Sequence, residues 1–285
     1  MDEKNRSNIP LIVAFVADLM FTPRIQNVVD HLGWRLEWVE TAVSIGPSHS
    51  PDQPERPGES LHGTEGRLFE QITAWQPALL LFDLNNNQIP WRRWIPILKS
   101  SPATRRLPIL AFGPHEDKET MQAAKSLGAN WVVGRSRFTS AMPDLLQKYA
   151  RIPDHDAMAA SCDEPLAELA KEGINLFNQG EYYQCHDALE EAWMADESPG
   201  RELYRGILQV GIACYQIQRG NYRGAVKMLL RVRQWLDPLP PVCRSINVAR
   251  LRQNAAEVQA ILTELGPERV GEFDTAVIQP IEYNL

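Results

Sequence analysis

The chain has 285 residues, enough for roughly two ordinary domains, and at 44% hydrophobic and 23% charged residues its composition is that of a globular rather than a disordered protein. Its formal net charge of -7 gives no global attraction to nucleic acid. The N-terminus "MDEKNRSNIP" is charged and the apolar run after it breaks at Asp18, so neither a signal peptide nor a membrane span of about 20 apolar residues is expected, and the chain is expected to be cytoplasmic.

Residues 11 to 150 alternate short apolar runs with amphipathic stretches. Strands are predicted at 11–17 (LIVAFVA), 35–40 (RLEWVE), 78–83 (ALLLFD), 108–113 (PILAFG) and 130–133 (NWVV). Helices are predicted near 23–32, 66–75, 89–100, 117–127 and 137–149. Strand and helix alternating in this way predict a parallel five-stranded sheet covered by helices. The strands lack in/out alternation, as burial on both faces requires. Two stretches lack apolar periodicity: "GPSHSPDQPERPGESLHGTEG" (46–66) reads as a long mobile surface loop, and "RIPDHDAMAASCDE" (151–164) as an interdomain linker.

From Pro165 the period changes to 3.6. Helices are predicted at 165–178, 181–195, 201–218, 221–236 and 246–265, followed by an extended tail, "AVIQPIEYNL". "NQGEYYQCHDAL" (178–189) is echoed by "QRGNYRGAVKML" (218–229), each a Gly–polar–Tyr turn between helices. Two copies are too few for a solenoid, so a compact all-α bundle is expected over 165–285. Cys162, Cys185, Cys214 and Cys243 are widely spaced without C-x-x-C, a pattern read as four reduced thiols.

The order of elements, Asp83 at the end of the third strand and "SLGANWVVGRSRF" resemble the response-regulator receiver domain over residues 10 to 150, which implies a flavodoxin-like fold. Receivers use an acidic pair after the first strand to hold Mg²⁺, a phosphoacceptor Asp, a hydroxyl after the fourth strand and a Lys after the fifth. The cation offsets charge while a carboxylate attacks a phosphoryl group. Asp83 matches the acceptor and Asp18 one of the acidic pair, but Ala17 replaces the other, Gly113 the hydroxyl and Arg135 the Lys. The resemblance therefore implies a degenerate receiver that docks a protein partner or dimerises, with a phosphorylatable Asp83 as the alternative.

On a helix at about 100° per residue, Tyr182, Cys185, Ala188, Leu189, Ala192 and Trp193 gather on one face of 181–195. His186 and Glu190 lie at its border, while Asp187 and Glu191 point to solvent. The helix 201–218 is apolar nearly all round, which places it at the centre of a bundle, yet Arg205, Gln209 and Gln216 share one narrow stripe. A buried Arg needs an anionic partner. A cluster of His186, Glu190, Arg205 and Gln209 is therefore expected between these helices, with Glu190–Arg205 as its ion pair. Three readings stand: a network fixing helix register, a metal or catalytic site at His186 and Glu190, and an anion pocket at Arg205 and His186. No cofactor is predicted; a divalent metal at His186 and Glu190 is the one candidate.

"FNQGEYYQCHDALEEAW" and "YRGILQVGIACYQIQRGNYRGAVKML" resemble the helical family catalogued as domain of unknown function 309, over about residues 165 to 236. Its pattern is matched in order by His186, Asp187 (Glu is usual), Leu189, Glu190, Trp193, Arg205, Gln209, Gly220 and Asn221. The resemblance implies an all-helical fold and a shared polar cluster, and no activity.

Charge is uneven. From Asp163 to Glu197 there are ten acidic residues against one Lys, and from Arg201 to Arg252 ten basic residues against Glu202 and Asp237. Arg223, Lys227 and Arg231 form a basic ridge on one helix. It reads as a solvated face or as a docking surface for an acidic protein; nucleic acid is not expected, because no aromatic interleaving accompanies it. The combined reading is a non-catalytic regulatory or scaffold protein, with a metal-dependent or anion-processing enzyme centred on His186 and Glu190 as the alternative.

Overall fold

Every residue of Leu11–Phe15 (β1), Leu79–Asp83 (β3) and Ile109–Gly113 (β4) is buried, while Arg35–Trp38 (β2) and Trp131–Gly134 (β5) are mostly half-buried. Burial on both faces is what an unbroken apolar strand demands, and half-burial is what an edge strand has. The five strands are parallel in the order β2-β1-β3-β4-β5, with Ile12 opposite both Leu36 and Leu79. The computed structural model describes residues 9–45 and 63–283. Residues 46–62 of the expected surface loop lie outside that range, and its last residues belong to a helix.

Alternate strand residues feed two cores. Val13, Phe15, Leu80 and Phe82 pack beneath Gly63–Trp75 (α2), Trp91–Ser100 (α3) and Lys118–Ser126 (α4), supplied by Leu68, Ile72, Trp94, Ile95 and Ala124. Ile12, Ala14, Leu79 and Leu81 face Thr22–His31 (α1), Arg135–Ser140 (α5) and Met142–Tyr149 (α6), through Ile25, Val29, Phe138 and Leu145. The single helix expected at 137–149 is two. Pro143, in the first turn of α6, has no N–H to continue the ladder from α5. This strand order is that of the flavodoxin-like class, and its reversal opens a crevice at the C-terminal ends of β1 and β3.

The chain divides into Met1–Ile152 and Pro153–Leu285. The stretch expected to be a linker contains His155–Cys162 (α7), capped by the Asp154 side chain and anchored by buried Met158 and Cys162. Glu168–Asn178 (α8), Cys185–Ala195 (α9), Glu202–Gln218 (α10), Tyr222–Leu236 (α11) and Val248–Leu265 (α12) build the helical unit around one core. The center is α10, apolar nearly all round, and a side chain at Gly206 would collide with Leu236 of α11. The two echoed turns reverse the chain at Gly180 and Gly220, at φ of 80° and 66°.

Further features depart from expectation. Val242–Cys243 (β6) and Ile246–Asn247 (β7) form a small antiparallel hairpin. Cys162 and Cys243 are joined by a disulfide, so two of the four cysteines are not thiols; Cys185 and Cys214 are free and buried. The expected tail begins with a short 3-10 turn, Thr275–Val277, and then runs extended to a bridge between Tyr283 and Ile246. The Asn178 side chain clamps it by bonding both the N–H and the carbonyl of Ile281. Among the described residues no helix is long and apolar enough to cross a membrane.

Candidate functional site

The crevice predicted by the strand order holds Asp18, three residues past β1, and Asp83, the last residue of β3. Gly113 ends β4, and Arg135 opens α5 directly after β5. Asp83 is 2% exposed. Its Oδ1 accepts from the Asn85 N–H at 3.0 Å, and Asp18 Oδ1 accepts from the Met20 N–H at 2.8 Å. Arg135 Nη2 donates to Asp83 Oδ1 and Oδ2 at 3.1 and 2.9 Å, and lies 3.4 Å from Asp18 Oδ2. Its guanidinium is held over the Phe21 ring, 5.1 Å from the centroid. Burial pushes the Asp83 carboxyl above its ordinary value, against the opposing pull of the Asn85 amide and Arg135.

Receiver chemistry needs a dication between the carboxylates. Here a guanidinium touches both. A dication placed within bonding range of both, about 2.0–2.6 Å, would meet that guanidinium at close range, so with Arg135 in place these residues do not fit one. At Gly113 a Cβ would lie 3.3 Å from Leu84 Cβ. The place of the receiver hydroxyl is crowded by a leucine side chain.

In the helical unit the four candidate residues divide. His186 is half-buried, its Nδ1 3.2 Å from Asp187 Oδ1 and 4.0 Å from Glu190 Oε2. Glu190 is exposed, with 49% of its side-chain surface accessible, rather than turned into the bundle. A carboxylate at the border of a helix face is cheaper to hydrate than to bury. The sequence reading sets Glu190 against Arg205; the structure gives Glu190 to His186 and gives Arg205 two indole faces. Arg205 Cζ lies 4.6 Å from the Trp193 ring and 3.9 Å from the Trp235 ring, and Arg201 lies 5.1 Å from Trp193. A guanidinium is weakly hydrated and stacks well on indoles, so this is a favourable place for it. Gln209 is buried, and its Oε1 has no hydrogen-bond partner among the described residues. Of the basic ridge, Arg223 and Lys227 are exposed and Arg231 is half-buried. Among the described residues no group of three or more His, Cys, Asp or Glu is placed to hold a metal ion.

A further charged centre escapes sequence reasoning. Arg244 and Ser245 turn the β6–β7 hairpin at φ of 50° and 66°, the left-handed region that Gly or Asn normally fills. Arg244 is 4% exposed. It donates to Asp196 Oδ2 at 2.5 Å, to Glu164 Oε2 at 3.0 Å, to Ser198 Oγ at 2.8 Å, to the Ser161 carbonyl at 3.3 Å and to the Tyr204 hydroxyl. Its backbone N–H bonds the Cys162 carbonyl at 2.7 Å, beside the disulfide. Burial raises the Asp196 carboxyl, but the Ser198 amide and the Arg244 bonds outweigh it and hold Asp196 below its ordinary value. An open groove of about 760 Å³ runs over Tyr204 and Arg244, with Glu164, Glu168 and Glu197 along it. No periodicity or spacing signals this hub.

Similarity to known proteins falls in two parts of the chain. Residues 170–228 match the model of the family described as Domain of unknown function (DUF309), the interval that carries His186, Glu190, Trp193, Arg205 and Gln209. The helical half resembles that family. An uncharacterised protein of Aquifex aeolicus (strain VF5) is 28% identical over 106 residues, 37% of this chain and 30% of its own length. This chain thus spans under a third of that relative.

The other half is similar in fold to receiver domains. The receiver domain of a sensor histidine kinase from Pseudomonas aeruginosa PAO1, solved with a magnesium ion coordinated in its active site cleft, is 12% identical over 50% of this chain and 97% of its own, with a TM-score of 0.37. A response-regulator receiver domain from Bermanella marisrubri is 16% identical over 49% of this chain and 96% of its own, with a TM-score of 0.36. The strand order, not these scores, carries the fold.

Proposed function

We propose that the chain is a non-catalytic regulatory or scaffold protein, whose receiver-like half docks a protein partner or a second copy without being phosphorylated. The observation that carries this reading is Arg135 lying across Asp83 and Asp18. A protein that supplies its own counter-charge to the acceptor-like aspartate has no need of a cation there. Leu19 and Met20, 85% and 69% exposed, sit at the rim beside Asp18 and offer a partner apolar surface. In the helical half Arg205 is stacked between two indoles, which supports a packing role for it.

The second reading is a metal-dependent or anion-processing enzyme centred on His186 and Glu190. What favours it is that both side chains reach solvent within 4.0 Å of each other. Metal content of chelator-free protein, beside thermal melts with and without EDTA, separates the two. The scaffold reading expects no stoichiometric metal and melts indifferent to EDTA in wild type and His186→Ala alike. Near-stoichiometric metal that disappears in a folded His186→Ala variant moves the protein to the enzyme reading.

A further inference from the structure

The receiver-like pocket carries one inference further, resting on the reading just given. We propose that Arg135 is a built-in counter-ion that closes a latent divalent-cation site formed by Asp18 and Asp83.

A carboxylate as buried as Asp83 needs a compensating positive charge. One backbone N–H, from Asn85, does not supply it. Arg135 does, through one terminal nitrogen, Nη2, that donates to both Asp83 oxygens and lies farther from Asp18. Its position follows from the fold: β5 ends at Gly134, and the next side chain leaves the sheet at the same end as Asp18 and Asp83. The guanidinium lies over the Phe21 ring, a favourable place for a weakly hydrated cation.

The arginine and a dication are therefore alternatives for one position. With Arg135 removed, two carboxylates remain at one end of the sheet, Asp83 at the end of β3 and buried, Asp18 in the loop after β1 and 31% exposed. That is a donor set Mg²⁺ or Mn²⁺ accepts when water completes the shell. Ala17 contributes no third carboxylate, so the uncovered site is weak.

The test uses the full chain and Mn²⁺ alone, read by the relaxation of bulk water and by broadening of the Phe21 ring resonances. Wild type is expected to show no saturable Mn²⁺ effect that Asp83→Asn removes. Arg135→Ala is expected to gain one saturable site, at least about tenfold tighter than any wild-type binding, displaced by Mg²⁺ and lost again in Arg135→Ala/Asp83→Asn; opposite charge removed from a pair of carboxylates favours a cation by at least that factor. Arg135→Gln, which keeps a hydrogen-bond donor and loses the charge, is read the same way should the alanine variant not fold. Saturable Mn²⁺ binding at Asp83 in wild type overturns the proposal. So does a folded Arg135→Ala or Arg135→Gln that gains no site. Neither result bears on His186, where the scaffold reading as a whole is tested.

Discussion

Arg135 reaches both oxygens of Asp83, at 2.9 and 3.1 Å, from the residue where a receiver keeps its lysine. A lysine ammonium is a compact point charge on a flexible stem; here a single guanidinium nitrogen, Nη2, donates to both Asp83 oxygens. Removing it while keeping the apolar stem, in Arg135→Met, leaves Asp83 buried without its partner. Losing one partner of a fully buried pair costs about 3–5 kcal/mol. Arg135 and Asp18 are each about 30% exposed, so screening reduces the loss here to about 2 kcal/mol. Urea melts should show that loss, and millimolar Mg²⁺ should restore part of it in the variant only.

The two arginine–carboxylate centres have opposite pH signatures. Asp196 is held below its unfolded value of 3.8. Its contribution is fully present above pH 3.8 and is lost as pH falls through the lower folded value. Asp83 is raised above 3.8, so the native state holds that proton more tightly and the charge costs stability as pH rises through the raised value. Melts between about pH 3 and pH 6 should show Asp196→Asn losing part of the acid-side fall and Asp83→Asn losing a term of the opposite slope. An acid limb identical in wild type and Asp196→Asn would contradict the assignment.

The disulfide makes a prediction about thiol count. Denatured, unreduced protein should expose two thiols to an alkylating reagent, those of Cys185 and Cys214. In the native state neither should react, because burial pushes both thiols up to about 12. The bond closes a separation of 81 residues. Chain entropy then gives a stabilisation of about 4 kcal/mol lost on reduction or in Cys162→Ser/Cys243→Ser. Four reactive thiols in denatured, unreduced protein would return the chain to the reduced state expected from its spacing. Four reduced thiols would have agreed with the cytoplasmic expectation, and the disulfide does not lend it that agreement.

In the helical half, the indole contacts of Arg205 should outweigh the exposed His186–Glu190 pair. Arg205→Lys keeps the charge and loses the planar face against Trp193 and Trp235, and should cost about 1–2 kcal/mol. Glu190→Ala should cost less than about 1 kcal/mol, as exposed pairs do. A larger loss for Glu190→Ala than for Arg205→Lys, in the same urea series, would reverse the order.

What could be read in advance follows from how each signal arises. The unbroken apolar runs of β1, β3 and β4 and the all-round apolar α10 announce themselves, because burial selects residue type directly. Asp18, Asp83, Gly113 and Arg135 were legible as positions through the receiver resemblance, and the parallel strand order sets them at one end of the sheet. Where the Arg135 guanidinium goes was not, because periodicity assigns a residue to a face but does not aim a long side chain. The surroundings of Arg205 were hidden for the same reason: helix position gives its stripe but not that its half-buried guanidinium meets Trp193 and Trp235. Arg244 and Ser245 carry no turn signal, since their left-handed backbone is held by a network assembled from Ser161, Glu164, Asp196, Ser198 and Tyr204. Cys162 and Cys243 are joined by tertiary folding alone.

The most direct measurement is the intact mass of the full wild-type chain after incubation with acetyl phosphate and Mg²⁺, beside Asp83→Ala. Arg135 across Asp83 predicts an unchanged mass for both proteins. Addition of one phosphoryl group to wild type, absent from Asp83→Ala, would contradict the account and make the receiver-like half a working switch.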